Sequence, residues 1–171
     1  DYFYELCFCI LTPQSSAKKA WSCIKKLKKA DFKNKNIRPN KHIKEIRFYN
    51  NKSKYLNDFK KNHKPIIIKI KESEYPKQLR EFLVKNIKGY GYKEASHFLR
   101  NVGYTNVAIL DRHILSLMVE NDIIKEKPNT LNKNNYQEIE KKLGKLAKFV
   151  DMSHAELDLY LWFLKTRKIL K

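Results

Sequence analysis

Residues 84–103 read VKNIKGYGYKEASHFLRNVG. Three of the chain's four glycines, Gly89, Gly91 and Gly103, fall in this stretch. Ahead of it, Leu79, Phe82, Leu83 and Ile87 recur at helical spacing, and a second helical pattern runs over 92–102. Two glycines one residue apart let the chain reverse tightly and bring backbone amides close to a ligand. The start of the second helix adds unpaired N–H groups and the positive end of its dipole. Together these form a site suited to a phosphodiester, although a plain helix hairpin without a ligand fits the same residues.

Lys93 stands in the first turn of that second helix, where the dipole favours acids. The dipole and the surrounding cations favour its neutral amine, which is a nucleophile. A simple contact to phosphate is the other reading. Asp111, eighteen residues on, follows the apolar run ValAlaIleLeu and precedes a helix over 112–119. Its carboxylate is placed to cap that helix, which keeps it ionised and aimed. Alone it fits a structural cap. With the hairpin and the lysine it forms a more specific pattern.

Outward from the hairpin the chain reads as helices throughout. Residues 2–11 are apolar nearly all round, a buried helix. ThrProGlnSerSer (12–16) ends it, with Ser15 or Ser16 as N-cap of a helix over 17–28 that carries Ala20, Trp21, Ile24 and Leu27 on one stripe. Residues 29–40 are polar. Ile43, Ile46 and Arg47 suggest a short helix, and Tyr55, Leu56 and Phe59 another. ProIleIleIleLysIle (65–70) is β-branched, but no second strand pattern exists to pair with it, so it too is assigned as helix. After an Asn-rich loop near 125–134, the last helices fall near 135–147 and 153–165.

The 171 residues carry 37 Lys and Arg against 18 acids, a formal charge of +19. Such a field draws polyanions, nucleic acid above all, although a Lys-, Asn- and Ile-rich chain also reflects compositional bias. No apolar run is long enough to span a bilayer and no signal peptide is expected, which suits a cytoplasmic or nucleoid-associated protein with no membrane partner. Cys7, Cys9 and Cys23 are read as buried free thiols.

The pattern resembles the helix-hairpin-helix DNA glycosylase superfamily. GYGYKEASHFLRNVGYTNVAILDRHIL is similar to the archaeal-type 8-oxoguanine DNA glycosylases, as are ELCFCILTPQSS near the start and ELDLYLWFLKTRKILK at the end. Residues 29–76 match loosely. Lys88 stands where many members have proline, which is expected to loosen the turn. Family members usually carry another helix ahead of the opening segment. No cysteine follows Cys23, against the iron–sulfur branches of the superfamily.

The resemblance implies an all-α fold with two helical lobes around a DNA-binding cleft, one domain over 1–171 and the hairpin motif at about 79–102. It implies a bifunctional glycosylase and abasic-site lyase acting, as a monomer, on double-stranded DNA that contains 8-oxoguanine. Lys93 would attack C1′ of a flipped nucleotide, Asp111 would stabilise the cationic sugar, and the Schiff base would permit β-elimination. Gly89, Gly91 and His113 would hold phosphates, and Gln14 would fill the gap left by the flipped base. His97, Trp162, Phe163, Asp158 and the terminal Lys171 are candidates for the base pocket. Bond breaking requires no metal, although the family hairpin can hold a monovalent cation. The alternatives are a glycosylase for another lesion and a non-catalytic helix-hairpin-helix module.

Overall fold

The structure, a computed structural model, describes residues 1–167. Asp1 opens α1 (Tyr2–Leu11) by accepting the Phe3 amide at 3.0 Å. Eight of the ten residues of α1 are buried, so it forms the axis around which the first lobe packs. Ser16 caps α2 (Ala17–Lys29) by accepting the Lys19 amide at 3.3 Å, and Ala20, Cys23, Ile24 and Leu27 form its buried stripe. Helices α3 (Tyr49–Glu72), α4 (Pro76–Asn86) and α5 (Tyr92–Asn101) complete a core that includes Phe3, Phe32, Phe59, Leu83 and Phe98. The second lobe is α6 (Arg112–Glu120), α7 (Lys133–Phe149) and α8 (His154–Thr166), closed around Ile114, Met118, Tyr136, Leu143 and Leu157. The described residues contain helices and no strand. None of their helices is long and apolar enough to cross a membrane.

Two expectations are corrected. The short helix expected around Ile43, Ile46 and Arg47 is a 3-10 turn at Pro39–His42 followed by irregular backbone. The Ile46 amide bonds the Ile43 carbonyl at 3.0 Å, so the apolar spacing of three reflects a turn and not a helix face. The segments 55–59 and 65–70 are not two helices but parts of the single helix α3, which runs through Pro65. Proline there removes one bond to the carbonyl of Lys61, and both residues are exposed, so water can take the released oxygen.

A buried polar network joins the lobes. Arg80 of α4 pairs with Glu140 of α7 through two bonds of 2.6 and 2.8 Å, and also donates to the Ser96 hydroxyl at 3.1 Å. Glu140 accepts the Ala108 amide at 2.9 Å. The Tyr136 hydroxyl donates to the Ala108 carbonyl at 2.7 Å and accepts the Leu110 amide at 3.3 Å. These bonds satisfy both backbone groups of Ala108 and the Leu110 amide in the irregular segment 107–110, and so fix the approach to Asp111. The three cysteines are buried and free, and burial pushes the thiols of Cys7 and Cys9 up.

Candidate active site

The hairpin between α4 and α5 turns at Gly89, whose φ of +83° is the left-handed conformation that glycine adopts without strain. A Cβ there would also meet the Tyr55 ring at 2.5 Å. Tyr90 anchors the turn by donating from its hydroxyl to the Leu6 carbonyl at 3.0 Å, in the core. Lys88, where many members have proline, pairs with Asp58 of α3 at 3.2 Å. Gly91 is the N-cap of α5, and its amide is held by Glu94 Oε2 at 3.1 Å. Of the amides expected to meet a phosphate, that of Gly91 is therefore engaged internally. The Tyr92 and Lys93 amides, in the first turn, have no intrahelical acceptor by construction.

Between the lobes lies a pocket of about 110 Å³. Ala17, Lys93, His97 and Arg100 line it from the first lobe. Ile109, Asp111, Asp158, Leu159 and Trp162 line it from the second. Lys93, His97 and Arg100 lie on one stripe of α5, at spacings of four and three. The Lys93 amine is 3.6 Å from Glu94 Oε1, and its side chain is 31% exposed, so it is reachable yet held. Asp111 caps α6: its Oδ1 accepts the His113 amide at 2.8 Å and the Ile114 amide at 2.9 Å. Both bonds use one oxygen, so the second carboxylate oxygen is available to a substrate. Lys93 and Asp111 thus come from opposite lobes and share one cavity.

A second acid and a cation complete the pocket. Arg100 Nη1 donates to Asp158 Oδ2 at 2.6 Å, with both side chains largely buried. Burial pushes the Asp158 carboxyl up to about 6, and nearby Asp111 adds to this, against the pull of Arg100 and Lys93.

Known proteins resemble this chain over most of its length. The family model described as 8-oxoguanine DNA glycosylase, of helix-hairpin-helix type, matches residues 1–152. The chain belongs to the 8-oxoguanine DNA glycosylase family. An 8-oxoguanine DNA glycosylase/AP lyase of Fusobacterium nucleatum is 46% identical, over 100% of this chain and 82% of that protein. Its counterpart from Methanocaldococcus jannaschii is 43% identical, over 100% of this chain and 83% of that protein. The crystal structure of the Methanocaldococcus glycosylase/lyase in complex with a 15mer DNA containing 8-oxoguanine superposes with a TM-score of 0.91 at 43% identity, covering 99% of this chain and 83% of that one. The Thermotoga maritima 8-oxoguanine DNA glycosylase gives a TM-score of 0.89 at 36% identity, covering 99% and 82%.

Within this family fold, the expected site residues divide. Lys93, Asp111, His97, Asp158 and Trp162 converge on the pocket. Phe163, on the next position of α8, is not among its lining and is 37% exposed. His113 stands outside the pocket lining in the first turn of α6, half-buried, with its ring nitrogen 3.2 Å from Arg112 Nε. Lys171 lies outside the described residues. Gln14 is exposed in the α1–α2 loop, three residues before the pocket residue Ala17, with φ +53°. A left-handed glutamine costs about 1–3 kcal/mol, a strain that persists where the surroundings impose it. Among the described residues no cluster of His, Cys, Asp and Glu is arranged to hold a metal ion.

Among the charged residues lining the pocket, Arg100 escaped the sequence reading. Arg100 was legible as the next member of the Lys93–His97 stripe. Beside the Gln14 loop stands Phe48, 52% exposed with φ +58°; Arg47 packs over its ring at 4.8 Å, and the Arg47 amide donates to Ser15 Oγ at 3.2 Å.

Proposed function

We propose that this chain excises 8-oxoguanine from duplex DNA and then cleaves the abasic strand by β-elimination. The observation that carries the reading is the meeting of Lys93 and Asp111 in one inter-lobe pocket, beside the glycine hairpin that opens α5. The target base is unreachable while stacked, so the nucleotide must leave the duplex to enter the pocket. The Lys93 amine then attacks C1′. A C–N bond forms as the glycosidic bond breaks, its electron pair leaves with the base, and the base takes up a proton. Asp111 faces the positive charge that develops on the sugar, where a fixed carboxylate is worth most. Ring opening gives an imine between Lys93 and C1′. Loss of a proton from C2′ then expels the 3′ phosphate as the C3′–O bond breaks.

In the same reading Gln14 enters the space vacated by the flipped nucleotide, and its exposed position on the α1–α2 loop supports this. The Tyr92 and Lys93 amides, with His113, take phosphates. Trp162 offers the base a face to stack on, and Asp158 an acceptor. A monovalent cation at the hairpin would rest on backbone carbonyls of 87–91, of which that of Ile87 already accepts the Tyr90 amide at 3.2 Å. The +19 charge supplies sequence-independent attraction to DNA. The chain works as a monomer, with the chromosome in the cytoplasm or nucleoid.

The test is incision of a panel of duplexes, each with one defined lesion. Nicking at 8-oxoguanine and at an abasic site is expected. Preferential release of uracil or an oxidised pyrimidine would assign another lesion, and tight binding with no incision would reduce the chain to a binding module.

A further inference from the structure

Lys52 is a lysine that the protein has taken out of water. It lies one turn into α3 and is 5% exposed, in a chain whose other lysines mostly cover its surface. Its ammonium has three N–H donors, and three oxygens receive them. Nζ is 2.8 Å from the Leu11 carbonyl, 2.6 Å from the Pro13 carbonyl and 3.4 Å from Ser15 Oγ. All three acceptors belong to the end of α1 and the loop that follows it. The Leu11 carbonyl is among the last of α1, which have no intrahelical donor and form the negative end of its dipole. The last turn of α1 contains no basic residue of its own, so the cation comes from α3.

The loop so held carries Gln14 in its left-handed conformation. Phe48, the N-cap just ahead of α3, accepts the Lys52 amide with its carbonyl at 3.0 Å, and Ser15 Oγ also accepts the Arg47 amide. One buried side chain therefore ties the Gln14 loop to the backbone that presents Phe48. Without it the Leu11 and Pro13 carbonyls would lose their charged donor, and a strained backbone would lose what imposes the strain.

We propose that Lys52 is a positioning residue for lesion recognition, holding the 11–15 loop in the shape that lets Gln14 replace the flipped nucleotide. This rests on the reading of Gln14 as the gap-filling side chain. Lys52 touches neither base nor sugar. It lowers the cost of the extruded state by fixing the loop before DNA arrives, which is a gain in preorganisation.

Burial brings the Lys52 amine down to about 8. Lys93 lowers it further, while Glu94 and Cys23 pull the other way. Above that pH the neutral amine keeps two N–H groups, but its bonds are no longer charge-assisted and are weaker.

The test uses a duplex whose 8-oxoguanosine carries a 2′-fluorine, which disfavours the sugar cation and so resists excision. The readout is the ratio of its affinity to that of undamaged duplex. Lys52→Met keeps the length of the chain and removes the donors. It should lower the ratio roughly tenfold while moving undamaged binding by no more than about twofold. Gln14→Ala should lower the ratio as well, and the double variant should lose no more than Gln14→Ala alone, because Lys52 acts through Gln14. Losses that add in the double variant would overturn the proposal. So would a normal ratio for Lys52→Met beside a reduced one for Gln14→Ala, with the Gln14 reading left standing. A normal ratio for Gln14→Ala would instead sink the Gln14 reading, and this proposal with it. Should Lys52→Met fail to fold, the unsubstituted protein decides: its ratio should fall as the pH rises from 7 to 9, and Gln14→Ala should abolish that trend. A flat profile would count against Lys52.

Discussion

Replacing Arg100 with methionine removes the partner of a buried acid and tests how the pocket is held. The pair is short, 2.6 Å, and the side chains of Arg100 and Asp158 are only 13% and 5% exposed. Leaving one member of a buried pair uncompensated costs about 3–5 kcal/mol. For a chain of this length each kcal/mol moves the melting temperature by about 2–4 °C, so a drop of roughly 6–20 °C is expected at pH 7.5. The pH dependence has a definite sign. The Asp158 pKa of about 6 lies above its ordinary 3.8, so its contribution to stability is full below about 3.8 and is lost as the pH rises through 6. Without Arg100 the carboxyl is pushed higher still. The deficit of the variant should therefore be largest above pH 6 and should shrink toward pH 5. Adding Asp158→Asn removes the unpaired charge and should restore a substantial part of the melting temperature at pH 7.5. The assay is thermal unfolding of the two single variants and the double variant across pH 5–8, an interval that brackets the shifted carboxyl. A fall of only a degree or two for Arg100→Met, or no recovery on adding Asp158→Asn, would refute the claim that this pair is buried and coupled.

Other expectations separate structure from chemistry. Asparagine caps helices about as well as aspartate, so Asp111→Asn should change stability by well under about 1 kcal/mol yet slow single-turnover excision by a factor on the order of 100; a near-normal rate would leave Asp111 a cap alone. Gly89→Ala places a methyl 2.5 Å from the Tyr55 ring at φ +83°. It should cost about 1–3 kcal/mol in unfolding experiments and weaken binding to damaged and undamaged duplex alike, whereas unchanged affinity would remove the hairpin from the DNA surface. Binding to undamaged duplex should weaken with salt, with a log–log slope of about −3 or steeper; a shallow slope would show that few phosphates are engaged.

Much of this was legible in the sequence because the signals were local. The hairpin glycines, the first-turn lysine and the capping aspartate lie within 23 residues, from Gly89 to Asp111, and their spacing carries their roles. Helix periodicity placed α1, α2 and α4 to α8 closely. It failed where it was faint: 55–59 and 65–70 read as separate helical segments, yet exposed polar residues and one exposed proline between them leave α3 intact. Helix α8 is apolar on several faces, so sequence alone could not tell that Trp162 meets the pocket and Phe163 does not. Long-range polar pairs were the least legible. Arg100 and Asp158 are 58 residues apart, and Lys52 reaches its carbonyl partners across 39 and 41 residues. In a chain with 37 basic residues, nothing in composition marks Lys52 as the lysine that is buried among the described residues.

The central claim is that the Lys93 amine forms the bond to C1′, and borohydride reduction during turnover tests it most directly. Reduction converts the imine to a stable amine, joining protein to DNA. On duplex containing 8-oxoguanine the account predicts one covalent adduct, located at Lys93 by peptide mass spectrometry and absent from Lys93→Gln, which should still bind the duplex. An adduct that persists in Lys93→Gln, or that maps to another lysine in the unsubstituted protein, would contradict it.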